Sequence, residues 1–173
     1  MRKRTLVAFG MPLLLLVAAG QAIEATAGSR ASTPACRASQ LQGKRLDSNG
    51  AAGTILISIT LKNMGATCSF KGYPALQIRR AQGALPTRVV HGGLAVLSSK
   101  PKLVTLRHLG RASVLISYSD VPVGNEGACP HGKALRLRPP GDDDWLSVNA
   151  STFACGHGTL HVSPVLAGIR HAA

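Results

Sequence analysis

The chain has 173 residues, and its 20 Lys and Arg against seven Asp and Glu give a formal net charge of +13 at pH 7. Aromatic residues make up only 3% of the chain, and no nucleic-acid-binding motif is present. Sequence-tolerant nucleic-acid binding relies on bases that stack on aromatic side chains, so we do not expect this protein to bind nucleic acid. A glycosidase with paired carboxylates is not expected either, because Glu126 is the only glutamate after residue 27.

The N-terminus has the features of a secretory signal peptide. A basic segment at residues 1–4 precedes an apolar run from Thr5 to Gly20, which is shorter than the roughly 18 residues that a membrane-spanning helix needs. Small residues place the cleavage site after Ala27 or after Ala22. We therefore predict export, with no stable membrane insertion after residues 1–27 are removed.

Cleavage after Ala27 leaves a single domain's length of chain with a charge of about +11. Residues 28–35 have the small, polar composition of a flexible linker. Residues 36–166 carry strand-like patterns, and residues 167–173 form a short C-terminal tail. A charge of this size favours contact with anionic surfaces such as acidic wall polymers, although it also fits a role in solubility alone.

Short runs with alternating apolar residues predict a succession of β-strands in the exported chain. In chain order these runs are residues 36–41, 54–62, 74–80, 84–90, 103–107, 112–118, 134–138, 145–149 and 158–163. The clearest is 54–62, where every second residue from Ile55 to Leu61 is Ile or Leu. Gly83 lies between two of the runs and predicts a hairpin from 74–80 to 84–90.

Alternation also assigns the two faces of each strand. In residues 134–138, Leu135 and Leu137 face the core while Arg136 and Arg138 face outwards, and in residues 74–80 Arg79 faces outwards. The total of about eight or nine short strands, with turns roughly every 8–12 residues, is typical of an immunoglobulin-like β-sandwich. We therefore predict an all-β domain of this kind.

Four cysteines, Cys36, Cys68, Cys129 and Cys155, follow the leader. An even number of cysteines in an exported chain predicts two disulfides, and counting alone allows three pairings.

Two Cys-x-His pairs offer a different use for half of these cysteines. Cys129 with His131, and Cys155 with His157, have the ligand types of a tetrahedral Zn²⁺ or Cu⁺ site. A metal-handling or redox module is therefore an alternative function, although an oxidising compartment favours the disulfides. The sequence predicts no cofactor.

The order of several motifs matches a known family. Gly50-Ala51-Ala52-Gly53 leads into the clearest strand, and Asn63, Cys68 and Gly72-Tyr73-Pro74 follow it. Over about residues 36–165 the chain resembles a secreted actinobacterial family, the domain of unknown function 4232. The resemblance implies an exported or envelope-associated protein without catalysis, and it implies the pairings Cys36–Cys68 and Cys129–Cys155.

Few residues stand out as a site. Tyr73 is a weak candidate for ligand contact, and the competing interpretation is that its ring packs and its hydroxyl caps a turn. Neither Gly-x-Ser-x-Gly nor His-Glu-x-x-His occurs, so no catalytic residue is assigned. We predict a non-catalytic protein of the cell envelope or extracellular space that contacts anionic surface polymers, with an unrecognised hydrolase as a further alternative. The sequence leaves the oligomeric state open.

Overall fold

A computed structural model describes residues 32–173, and this part of the chain is all-β. The predicted signal peptide, its cleavage sites and residues 28–31 of the predicted linker lie outside the described residues. The strands are β1 (Leu41–Ala51), β2 (Thr54–Asn63), β3 (Cys68–Phe70), β4 (Ala75–Arg80), β5 (Gly83–Ala84), β6 (Arg88–His91), β7 (Val104–Leu106), β8 (Arg111–Ser119), β9 (His131–Gly132), β10 (Ala134–Arg138), β11 (Leu146–Val148), β12 (Thr152–Phe153), β13 (Thr159–Val162) and β14 (Leu166–Ala167).

Three short turns of helical type accompany these strands. Two are 3₁₀ turns at Ala38–Gln40 and Ala95–Leu97, and the third is a tight turn at Cys155–Gly158. No helix among residues 32–173 is long and apolar enough to cross a membrane.

Two larger sheets enclose the hydrophobic core. One has the order β1-β2-β8-β13-β6, with β14 also paired to β8, and the other has the order β11-β10-β4-β5. Their inner faces share one cluster of buried side chains, which includes Ile57, Ile59, Leu61, Val114, Ile116, Ile78, Leu135, Leu137, Val148 and Leu160. The all-β prediction is confirmed, while the immunoglobulin-like subtype stays a prediction.

The structure contains more strands than the eight or nine predicted. The longer strands, such as β2, β8 and β10, match the predicted runs because one face of each is buried and the period of two is visible in the sequence. Several others, such as β9 and β12, are only two residues long. A pair of residues is too short to show any alternation.

The prediction of a first strand at residues 36–41 was wrong. Ala38–Gln40 form a 3₁₀ turn, and the strand begins only at Leu41 and pairs antiparallel with β2. The apolar alternation that would predict β1 is interrupted in the sequence because Gly43 occupies a position that faces the core. A Cβ atom there would lie 2.6 Å from Cγ2 of Val148, so close packing requires the glycine and removes the apolar signal.

The predicted hairpin from 74–80 to 84–90 was also wrong in its second half. Only two residues of β5 pair with β4. Pro86 then follows and has no N–H to donate to a ladder, and the hydroxyl of Thr87 accepts the N–H of Ile78 instead, at 3.0 Å. The chain leaves this sheet, and β6 pairs in parallel with β13 of the other sheet.

Both disulfides have the pairing that the family resemblance implies, Cys36–Cys68 and Cys129–Cys155. The first lies beside a backbone contact at the end of the predicted linker. The N–H of Cys36 donates to the carbonyl of Ser69 at 3.0 Å, and the N–H of Ser69 donates to the carbonyl of Pro34 at 2.8 Å. The linker is therefore hydrogen bonded to β3 before the first cysteine is reached.

The predicted C-terminal tail packs on the outer face of the six-stranded sheet. The hydroxyl of Ser113 donates to the carbonyl of Gly168 at 2.9 Å and accepts the N–H of Arg170 at 2.9 Å. Beneath the tail, Leu56 and Leu115 form a second small apolar cluster. Ala167 of the predicted tail still belongs to β14, and the residues that follow it cover the outer face of the sheet.

Candidate functional site

The Cys129–Cys155 disulfide removes the thiolates that the metal-handling interpretation needs. The two sulfur atoms are bonded to each other, so neither is an ionised ligand for Zn²⁺ or Cu⁺. His131 places Nε2 3.3 Å from the hydroxyl of Ser151, and the side chain of His157 is exposed. The two Cys-x-His pairs therefore contribute one structural disulfide and two histidines at the surface.

The turn after Cys155 forms a small anion-binding concavity that the sequence reasoning missed. Gly156 and His157 both have left-handed backbone, with φ of 68° and 58°, and successive residues of this kind direct their N–H groups to one side. The Glu126 carboxylate accepts both N–H groups, at 2.7 Å from Gly156 and 2.8 Å from His157. The concavity is thus filled by a side chain of the same molecule.

These hydrogen bonds change the acidity of Glu126. The N–H of His157, followed by those of Gly156 and Val123, stabilises the carboxylate and holds its pKa below the ordinary value of 4.5, although desolvation opposes the shift. A carboxylate with a lowered folded-state pKa stabilises the fold above its unfolded-state pKa, and this contribution disappears as the pH falls through the folded-state pKa.

We expect Glu126→Gln to flatten the loss of stability that occurs as the pH falls below 4.5. Glutamine cannot ionise, so its contribution does not depend on pH. Urea unfolding at several pH values between neutral and acid measures this dependence. The exposed Asp144→Asn is the matched control for the loss of one carboxylate. A slope in Glu126→Gln as steep as that of the unmodified protein would contradict the assignment.

Tyr73, the weak ligand candidate, has partners within the folded chain. Its ring stacks on that of His91 with centroids 4.0 Å apart and planes 5° from parallel. Its hydroxyl donates to the carbonyl of Ser99 at 3.4 Å. These contacts favour the packing interpretation of Tyr73.

Several carboxylates accept hydrogen bonds from backbone N–H groups, and few carboxylates form ion pairs with Lys or Arg. Asp142 accepts the N–H of Ala38 at 2.6 Å, which lowers the pKa of Asp142, and Asp47 accepts the N–H of Ala172 at 3.0 Å. Within residues 32–173, Arg138 is the only Lys or Arg that has a carboxylate within 4.0 Å, at 3.9 Å from Asp143. The excess positive charge therefore lies on the surface without partners.

Three arginines share the outer face of the four-stranded sheet. Arg136 and Arg138 point outwards from β10, two residues apart and so separated by about 6.8 Å along the strand. Arg79 of β4 lies opposite Ala134, which makes it the diagonal neighbour of Arg136, at roughly 7–8 Å. We call these three residues, together with Trp145, the arginine face.

Trp145 holds two of these guanidinium groups in place. The Cζ atoms of Arg136 and Arg138 each lie 5.4 Å from the centroid of a Trp145 ring, within the range of a cation–π contact. Because the ring restricts both side chains, less conformational entropy is lost when they bind a ligand. A guanidinium fork is suited to two-point hydrogen bonding of phosphate or carboxylate.

A second basic surface lies on the other sheet. Lys44, Lys62 and Arg111 line a groove of about 530 Å³ on the outer face of the six-stranded sheet, and Lys62 is directly opposite Arg111 in the register of β2 and β8. We call this the lysine groove. Its lining has the same number of Lys and Arg side chains as the arginine face, but none of the described residues that line it is aromatic.

The fold and these surfaces define the class of the protein: a disulfide-bonded all-β domain whose surface cations are largely unpaired. A family model described as a domain of unknown function, DUF4232, matches residues 36–166, and the chain belongs to this family. The match runs from the first cysteine to the first residue of β14. No curated protein and no solved structure matches the chain.

Proposed function

We propose that this chain is an exported, non-catalytic protein that binds an anionic polymer of the cell surface through the arginine face. The observation that carries the proposal is the set of three neighbouring arginines, of which Arg138 alone has a carboxylate within 4.0 Å. Unpaired cations at sheet spacing produce a local positive potential that attracts polyanions.

Export is supported by the two disulfides as well as by the leader. Disulfides persist in oxidising compartments outside the cytosol. The chain would then meet polymers of the cell wall or surface, whose phosphate and carboxylate groups suit guanidinium forks.

The absence of catalysis is supported by the residues that the arginine face presents. The outward side chains of β4 and β10 are Ala75, Gln77, Arg79, Ala134, Arg136 and Arg138. They offer charge and hydrogen-bond donors, but none of them is a nucleophile or a general base at neutral pH. Such a surface binds an anion and leaves its bonds intact.

Two triple variants test the proposal with equal changes of charge. Arg79→Gln/Arg136→Gln/Arg138→Gln removes three charges from the arginine face, and Lys44→Gln/Lys62→Gln/Arg111→Gln removes three from the lysine groove. With purified poly(glycerol phosphate) as the probe, we expect the first set to weaken binding by at least about tenfold and the second by less than about threefold. Equal losses would show that net charge alone acts and would contradict the assignment.

A conservative variant tests the fork geometry. Arg136→Lys/Arg138→Lys keeps both charges but loses the planar fork and its stacking on Trp145. We expect a weaker affinity than that of the unmodified chain at the same salt concentration. Neutral dextran serves as the control polymer, and binding to dextran as tight as to the polyanion would argue against an electrostatic site.

A further inference from the structure

A second groove crosses the outer face of the six-stranded sheet, between residues 96–104 and the C-terminal residues 165–171. Its volume is about 590 Å³, within the range of roughly 300–1,000 Å³ that is usual for small-molecule sites. It is separate from the arginine face, which belongs to the other sheet.

Apolar side chains form much of the groove. Leu115 and Val165 line it and are buried, whereas Val96 is 44% exposed and Leu103 is 66% exposed. Leu103 is the most exposed large apolar residue in residues 32–173. Apolar side chains held open to water beside a concave surface are typical of a binding groove.

The charged residues that line the groove are cationic. Lys100, Lys102 and Arg170 line it, together with His171, and no Asp or Glu is among the lining residues. Within the described part of the chain, none of these Lys and Arg side chains has a carboxylate within 4.0 Å. A ligand that fits this lining must carry both an apolar part and a negative charge.

The C-terminal wall of the groove is held in place before any ligand arrives. Ser113 bonds to the backbone of Gly168 and Arg170, and Asp47 accepts the N–H of Ala172 and contacts the ring of His171. A wall fixed in this way reduces the entropy lost on binding.

We propose that this groove binds a free single-chain anionic amphiphile, with an alkyl chain along Leu103 and Leu115 and a carboxylate or phosphate headgroup at Lys100, Lys102 and Arg170. The apolar lining contributes affinity through burial of the chain. The unpaired cations select the charged headgroup over a neutral one. The inference does not depend on polymer binding by the arginine face.

Calorimetric titration with alkyl carboxylates of increasing length, below their critical micelle concentrations, tests the proposal. We expect each added CH₂ to tighten binding by up to about fourfold until the groove is filled. The alcohol of the same length should bind at least about tenfold more weakly. An affinity that does not change with chain length would overturn the proposal.

Matched variants separate the two parts of the site. Val96→Ser/Leu103→Ser changes exposed residues and should reduce the dependence on chain length. Lys100→Gln/Lys102→Gln should reduce the preference for carboxylate over alcohol, whereas Lys44→Gln/Lys62→Gln, with the same change of charge, should leave it intact. Binding to phosphatidylglycerol vesicles without binding to free amphiphile would assign the groove to a membrane surface and overturn the proposal.

Discussion

Replacing Cys36 and Cys68 together with alanine is expected to lower the free energy of unfolding by about 3.7 kcal/mol. The bond joins residues 32 apart in the sequence, and opening a loop of this length returns conformational entropy to the unfolded chain. Both cysteines are buried. The bond also keeps the lead-in segment beside β3, where the N–H of Cys36 donates to Ser69, so its loss frees one edge of the core.

Urea unfolding of the oxidised proteins measures this effect. The matched variant is Cys129→Ala/Cys155→Ala, which opens a loop with a sequence separation of 26 and is expected to cost about 3.5 kcal/mol. A loss below about 1 kcal/mol for the first pair would lie within the range of ordinary substitutions. That result would mean that the lead-in segment stays docked without its covalent link.

Replacing the buried Asn63 with aspartate is expected to cost at least about 3 kcal/mol. The Nδ2 atom of Asn63 donates to the carbonyls of Ala66 at 2.8 Å and Leu106 at 3.1 Å. Its Oδ1 atom accepts the N–H of Gly65 and Nε2 of Gln40, each at 2.9 Å. In aspartate, a carboxylate oxygen replaces the Nδ2 donor and faces the two carbonyl oxygens. Both hydrogen bonds are lost, and the buried negative charge is repelled by the carbonyl oxygens.

The exposed Asn149→Asp is the control for this substitution, because it makes the same chemical change in contact with water. We expect its free energy of unfolding to lie within about 0.5 kcal/mol of the unmodified value. Comparable losses for the two variants would contradict the role assigned to the Asn63 hydrogen bonds.

The sequence predicts which side of a strand faces the core better than it predicts which strands lie next to each other. Alternation alone places Arg79, Arg136 and Arg138 on outward faces, because Leu and Ile occupy the positions between them. It cannot predict that β4 and β10 are adjacent, since their pairing joins segments more than 50 residues apart and depends on the order of strands in the whole sheet. The arginine face therefore appears only when the sheet is assembled.

Polar contacts were the least predictable part of the molecule. Glu126 and Asn63 occur in turn-like sequence, and nothing in their immediate neighbours predicts the hydrogen bonds that their side chains make. Their partners come from distant segments: Gly156 for the first, Leu106 for the second. The Gly-His-Gly sequence after Cys155 is the one local signal, because glycines favour the left-handed backbone found there.

The use of carboxylates connects the fold to the proposed function. Glu126, Asp142 and Asp47 each accept backbone N–H groups that join separate segments of the domain. Carboxylates used in this way keep their negative charge but form few close ion pairs, and within residues 32–173 Arg138 is the only Lys or Arg with a carboxylate within 4.0 Å. Most of the Lys and Arg side chains in this part of the chain therefore have no ion-pair partner and can contact an anionic polymer.

Trp145 provides the most direct measurement of polymer binding, because it is the only tryptophan of the chain and lies beside Arg136 and Arg138. We would titrate the ¹⁵N-labelled exported chain with poly(glycerol phosphate) at low salt and follow the indole N–H and the Nε–H signals of the two arginines. These signals are expected to shift in a saturable manner and to return when salt is added. Saturable binding that leaves them unchanged, while the backbone amides of Lys62 and Arg111 shift, would place the polymer in the lysine groove and contradict binding through the arginine face.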